Sequence, residues 1–200
     1  MEHIVNQIKL CGTVAAAPLR SHENHGRWFY RFPLDVMRLS GAVDTLQILA
    51  AEELLAGFDS APGAQVALVG QVRSFNRRTE TGRRLIISVF AEEIEDTQEE
   101  PYNSVFVQGS ICREPVYRRT PLGREICDVM LAVRRHYNRT DFLPCILWGR
   151  TADEIAQLPI GATIAIDGRL QSRTYIKQLE TGRETRTAYE ISALCASAAE

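Results

Sequence analysis

No run of apolar residues in this chain approaches the roughly 18 that a membrane-spanning helix needs. The N-terminus, MEHIVNQIKL, lacks the charged-then-apolar pattern of a secretory leader, so a cytoplasmic protein with no membrane partner is expected. Cysteine is sparse. The five residues are Cys11, Cys112, Cys127, Cys145 and Cys195, an odd number with no CxxC, which argues against a disulfide framework or a zinc ribbon. Cys11, Cys127 and Cys145 lie in apolar, strand-like runs and read as small buried hydrophobes. Also missing are an HExxH pair, a Walker-type phosphate loop and a nucleophile elbow. The expectation is therefore no enzyme, no metal, no cofactor and no small-molecule substrate.

Strong charge of one sign is absent too, because the formal net charge is only -2. The halves differ, however. Residues 1–100 carry 10 Lys+Arg against 14 Asp+Glu, whereas residues 101–200 carry 13 against 11, and 12 of those 13 are Arg. Arginine forks onto phosphates and stacks on flat rings, so the second half is the better candidate for a polyanion contact. Apolar residues are 45% and charged residues 24% of the 200, enough for a packed globular protein.

What is present is an internal repeat at an offset of 97 residues. It aligns Asn6 with Asn103, Gly12 with Gly109, Pro18 with Pro115, Gly26 with Gly123, Leu34 with Leu131, Val36 with Val133, Arg38 with Arg135 and Asp44 with Asp141. After small insertions Gly63 matches Gly161, Gly70 matches Gly168, and Glu80-Thr81-Gly82-Arg83 matches Glu180-Thr181-Gly182-Arg183. The stretch Glu92 to Glu100 is acidic, is followed by Pro101 and reads as a linker. The expected domains are 1–96 and 102–200, joined by an acidic linker at 97–101.

Each repeat is mostly strand. In the second, Ser104–Ile111, Ile126–Arg135, Asp141–Trp148, Ala162–Tyr175 and Glu184–Cys195 are β-rich, with a polar loop from His136 to Thr140. Arg150–Leu158 is the one good helical pattern, closed by Pro159 and Gly161, and the first repeat has its helix near Ala51–Ala56. A Thr-Gly turn near Gly82 or Gly182 marks a hairpin between the last two strands. The expectation is all-β: two tandem OB-fold, five-stranded Greek-key barrels, each with one short helix between strands 3 and 4.

The second repeat interleaves aromatics with arginines. Phe142 and Trp148 are six apart on one strand and share a face. Tyr137 precedes that strand, and Tyr175 ends the next one with the parity of Arg169 and Arg173. Arg134, Arg135 and Arg139 surround Tyr137. Flat rings beside cations suit unpaired bases, each worth about 1–3 kcal/mol when stacked.

On these residues the second half resembles the bacterial single-stranded-DNA-binding protein family. The likeness runs from Asn103 to Cys195 through NSVFVQGSICREPVYRRTPLG, VMLAVRR, DFLPCILWGRTADEIAQLPIGATIAIDGRL and QSRTY. It implies that Tyr137, Phe142, Trp148 and Tyr175 stack on the bound strand. It also implies that Arg113, Arg169 and Arg173 contact phosphate. The first half resembles the family through NQIKLCGTVAAAP and GAQVALVGQVRSF. There only Phe75 has a counterpart among the four aromatics, and Ser40 and Thr45 fall at the places of Tyr137 and Phe142. Trp28, Phe29 and Tyr30 cluster elsewhere, and Arg73, Arg77, Arg78, Arg83 and Arg84 crowd the last hairpin. Phe75, Arg73, Arg77 and Trp28 are the weaker contact candidates, and the first unit is expected to bind weakly or to serve assembly.

Family members that recruit repair enzymes carry an acidic-tipped tail, whereas this sequence stops at ALCASAAE. The resemblance implies sequence-tolerant single-stranded DNA binding in replication, recombination or repair. It also implies a homodimer, because two chains supply four OB units. The competing readings are an assembly module of a DNA-processing complex, built from OB barrels, and an RNA binder.

Overall fold

The computed structural model describes residues 5–79, 82–179 and 182–199. The first unit comprises β1 (Asn6–Val14), β2 (Leu19–Asn24), β3 (Arg27–Met37), β4 (Val43–Ala51), α1 (Glu52–Leu55), β5 (Gln65–Thr79) and β6 (Gly82–Asp96). The second repeats that order with β7 (Tyr102–Ile111), β8 (Val116–Arg119), β9 (Glu125–Arg135), β10 (Arg139–Trp148), α2 (Gly149–Ala156), β11 (Thr163–Leu179) and β12 (Gly182–Ala198). Among the described residues no helix is long and apolar enough to cross a membrane.

Each unit is a closed five-strand barrel. In the first, β1 pairs with both β3 and β5, β3 with β4, β5 with β6, and the parallel contact Ile48↔Val89 between β4 and β6 closes the ring. The second closes the same way, through Cys145↔Ile191 between β10 and β12. The helix follows the third barrel strand in both. One strand per unit is additional to the expected five: β2 and β8 fold back onto β3 and β9 as hairpin arms outside the ring. They are exposed on both faces, so hydrophobic alternation gave no sign of them. Along the barrel strands alternation is clear, as in β9, where Cys127, Val129, Leu131 and Val133 point inward. Cys11, Cys127 and Cys145 are buried as expected, and burial pushes the thiol of each upward.

The two units share one 12-stranded sheet, joined by antiparallel pairing of β1 with β7 from Asn6↔Val107 to Cys11↔Tyr102. The acidic run is not all connector. Glu92–Asp96 finish β6 and turn Ile94 into the core, because an alternating strand carries acids on its wet face. Residues 97–101 follow, and Cys11 Sγ and Gln65 Nε2 both donate to Glu99 O.

The repeat's polar positions now have a physical role. The ladder of β1 with β5 ends at Ile8↔Gly70, and the Asn6 amide carries it on, donating to Val72 O (2.8 Å) and accepting from Val72 N (3.0 Å). Asn103 does the same with Leu170, at 2.6 and 3.0 Å. The aspartates reach across units instead. Asp44 accepts from Ser172 N at 2.7 Å, and Asp141 accepts from Ser74 N at 2.7 Å.

Candidate nucleic-acid interface

The outer face of the second barrel assembles most of the predicted aromatics. Phe142 and Trp148 are both exposed on β10, at 40% and 38%, on the side opposite Leu143, Cys145 and Leu147. Trp148 Nε1 donates to Ser192 Oγ at 3.1 Å, which fixes the indole over β12. Ser192 is the cross-strand partner of Arg169 on β11, and Arg173 and Tyr175 follow Arg169 on the same side. Tyr175 is 38% exposed, faces Arg186 across the hairpin, and has the Arg173 guanidinium 5.9 Å from its ring centroid. Tyr137 sits at the tip of the β9–β10 turn, closed by Arg135↔Arg139. Its φ is 60° and its side chain is 95% exposed. Tyr137 and Asn138, with φ of 60° and 54°, supply the left-handed conformation that the tight turn requires.

The arginines divide into two groups. Among the described residues, no carboxylate pairs with Arg113, Arg134, Arg139 or Arg169, and the first three of these are exposed. The Nε of Arg169 is buried and has no hydrogen-bond partner among the described residues. Arg173 stands 3.9 Å from Glu190, a loose pair that leaves its guanidinium exposed. Arg135 and Arg73 are held inward, at 3.2 and 3.3 Å from the fully buried Asp141. Burial lowers the proton affinity of Arg73, Asp141 opposes this, and Arg135 adds to it.

In the first unit the equivalent platform is missing. Ala51 stands at the register of Trp148 and is buried, paired with Phe29 where Trp148 pairs with Ile126. Counted from the bulges at Gly70 and Gly168, the register of Tyr175 falls at Arg77, and Phe75 matches Arg173 two residues earlier on the same face. Phe75 is 54% exposed. The aromatic triplet splits: Phe29 is buried and stacks on His22 at 5.1 Å, Tyr30 donates to Glu52, and Trp28 lies under Arg20 at 4.4 Å.

Two features escaped the sequence reading. The second hairpin runs beyond Tyr175, to Leu179 and Gly182, and was not read because these arms lie off the core and show no apolar alternation; Glu80, Thr81, Glu180 and Thr181 lie outside the described residues. Asp44 and Asp141 were visible as a repeat-matched pair, yet nothing in one strand's sequence marks an acid as buried by another unit.

Residues 102–196 match the single-strand binding protein family. The chain is 33% identical over 102 residues to single-stranded DNA-binding protein 1 of Staphylococcus aureus (strain COL), covering 48% of this chain and 58% of that one. It is 35% identical over 83 residues to single-stranded DNA-binding protein A of Bacillus subtilis (strain 168), covering 38% and 48%. The chain thus spans about half the length of the curated relatives it matches. A crystal structure of a deletion mutant of the single-stranded DNA binding protein from Thermus aquaticus superposes with a TM-score of 0.78 at 20% identity, over 100% of this chain and 97% of that one. At that identity the likeness establishes the fold, which here includes both barrels.

Proposed function

We propose that this chain, whose second barrel belongs to the single-strand binding protein family, binds single-stranded DNA without strong sequence preference in replication, recombination or repair. The carrying observation is the exposed set Tyr137, Phe142, Trp148 and Tyr175 bordered by unpaired arginines. Bases stack on the rings, and Arg113, Arg134, Arg139, Arg169 and Arg173 meet phosphate. Stacking tolerates any base because every base has a flat face, and a guanidinium reads no sequence from a phosphate. Arg135 and Arg73 contribute positive charge from behind, since Asp141 already orients them. The chain acts as a homodimer, presenting four barrels, and works in the cytoplasm.

Titration with oligo-dT tests this. In a Trp28→Phe background, which leaves Trp148 as the sole indole, fluorescence is expected to fall on binding. Log affinity should drop with log salt by about 0.7 for each phosphate neutralised. No quenching and no binding at low salt would sink the proposal. A matched oligo-rU competitor that displaces the DNA at equal concentration would shift the assignment to RNA.

A further inference from the structure

We infer that the bound strand crosses from the second barrel onto the first at one junction, where Phe75 supplies an additional stacking ring beside Phe142. The inference rests on the proposed single-strand binding. It gives the first barrel a part in one composite site, not a site of its own.

Three observations carry it. First, the β5 segment Arg73–Phe75 lies against Asp141–Phe142 of the other unit. Ser74 N donates to Asp141 Oδ1 at 2.7 Å, and Phe142 N donates to Ser74 Oγ at 2.7 Å. Ser74 and Asp141 are buried in this contact, so the next residue of each strand, Phe75 and Phe142, turns outward. Two large exposed rings therefore flank one hydrogen-bonded seam.

Second, the seam carries an excess of positive charge. One carboxylate, Asp141, faces two guanidiniums, Arg73 and Arg135. Further out on the same hairpin, Arg77, Arg78 and Arg83 are exposed, and no described carboxylate pairs with them. A polyanion leaving Phe142 in that direction continues to meet cations.

Third, the repeat-related junction is built differently. Asp44 takes two hydrogen bonds from one guanidinium, Arg38, both at 2.6 Å, so that pair is balanced. The match of Arg73 is Gln171, which is neutral and donates to Glu190 at 3.2 Å. The match of Phe142 is Thr45, which donates to Asp35 at 2.6 Å. Only the Phe75–Phe142 junction combines a ring on each side with surplus cations.

The test uses the full chain and dT oligomers of about 35 and about 8 nucleotides, the shorter being within the span of one barrel. Phe75→Ala is expected to weaken the long oligomer about tenfold and to leave the short one unchanged. Phe142→Ala should weaken both, and Phe75→Tyr should retain wild-type affinity. Phe75 is exposed, and an unchanged far-UV spectrum checks that the variants stay folded. Wild-type affinity for the long oligomer in Phe75→Ala, with a loss in Phe142→Ala, would overturn the composite site while leaving the binding function intact. Failure of the wild-type chain to bind either oligomer would instead overturn the function and the inference with it.

Discussion

Asp44 is 1% exposed, yet it remains a carboxylate because Arg38 of its own unit and Ser172 of the neighbouring unit solvate it. Burial alone would raise its pKa. The hydrogen bonds from Arg38 and from Ser172 N–H, together with the Arg38 charge, outweigh burial and hold it below its ordinary value. An unfolded aspartate protonates near pH 3.9. The native chain therefore binds fewer protons than the unfolded one around that pH, and stability rises with pH there. The contribution is complete above about pH 4 and is lost as pH falls through the depressed native value. Asp44→Asn is expected to lower the unfolding free energy at pH 7 by about 2–3 kcal/mol, since it breaks a buried ion pair whose arginine partly regains water. Denaturant titrations at pH 7 and pH 3 check this: the gap from wild type should narrow at the lower pH, and an equal gap at both would contradict the charge argument.

At the scale of elements, the two long hairpins matter most. Both leave their barrels after a bulge at a glycine, between Val69 and Gly70 and between Asp167 and Gly168. A Cβ on Gly168 would collide with Ser192 O of the paired strand, which is backbone and cannot swing aside. Gly168→Ala should therefore destabilise by about 1–3 kcal/mol, a cost typical of overpacking. Ser192 is also the acceptor of the Trp148 indole, so the same change should alter Trp148 emission in the free protein. Unchanged melting and emission would show that the bulge yields easily. These glycines were legible as a repeat-matched pair. The hairpin ends were less so, because Arg and Thr dominate arms that lie off the core and leave no hydrophobic period to read.

At the scale of the whole molecule, direct contacts join the two units. Pairing of β1 with β7, the Asp44–Ser172 and Asp141–Ser74 contacts and the bond from Arg84 Nη2 to Thr187 O tie the units together. Their buried apolar residues form one continuous cluster. Calorimetry is expected to give a single unfolding transition, and two resolved transitions would show that the barrels melt independently.

Local patterns determined much of this protein. Alternation marked the barrel strands, the helical pattern after Trp148 marked α2, and the repeat marked two equivalent units. Aromatics interleaved with arginine marked the exposed rings of the second barrel, the face proposed to bind, because a large ring beside polar neighbours on a half-buried strand has few apolar partners. The tertiary structure decided what depends on residues distant in sequence. It pairs Arg135 and Arg73 with one buried acid and drops Phe75 from the register of Tyr175 to that of Arg173. It also sets Phe75 beside the seam that leads to Phe142. Those outcomes follow from how one barrel docks on the other, and a residue's periodicity within its own strand carries no record of the surface that will meet it.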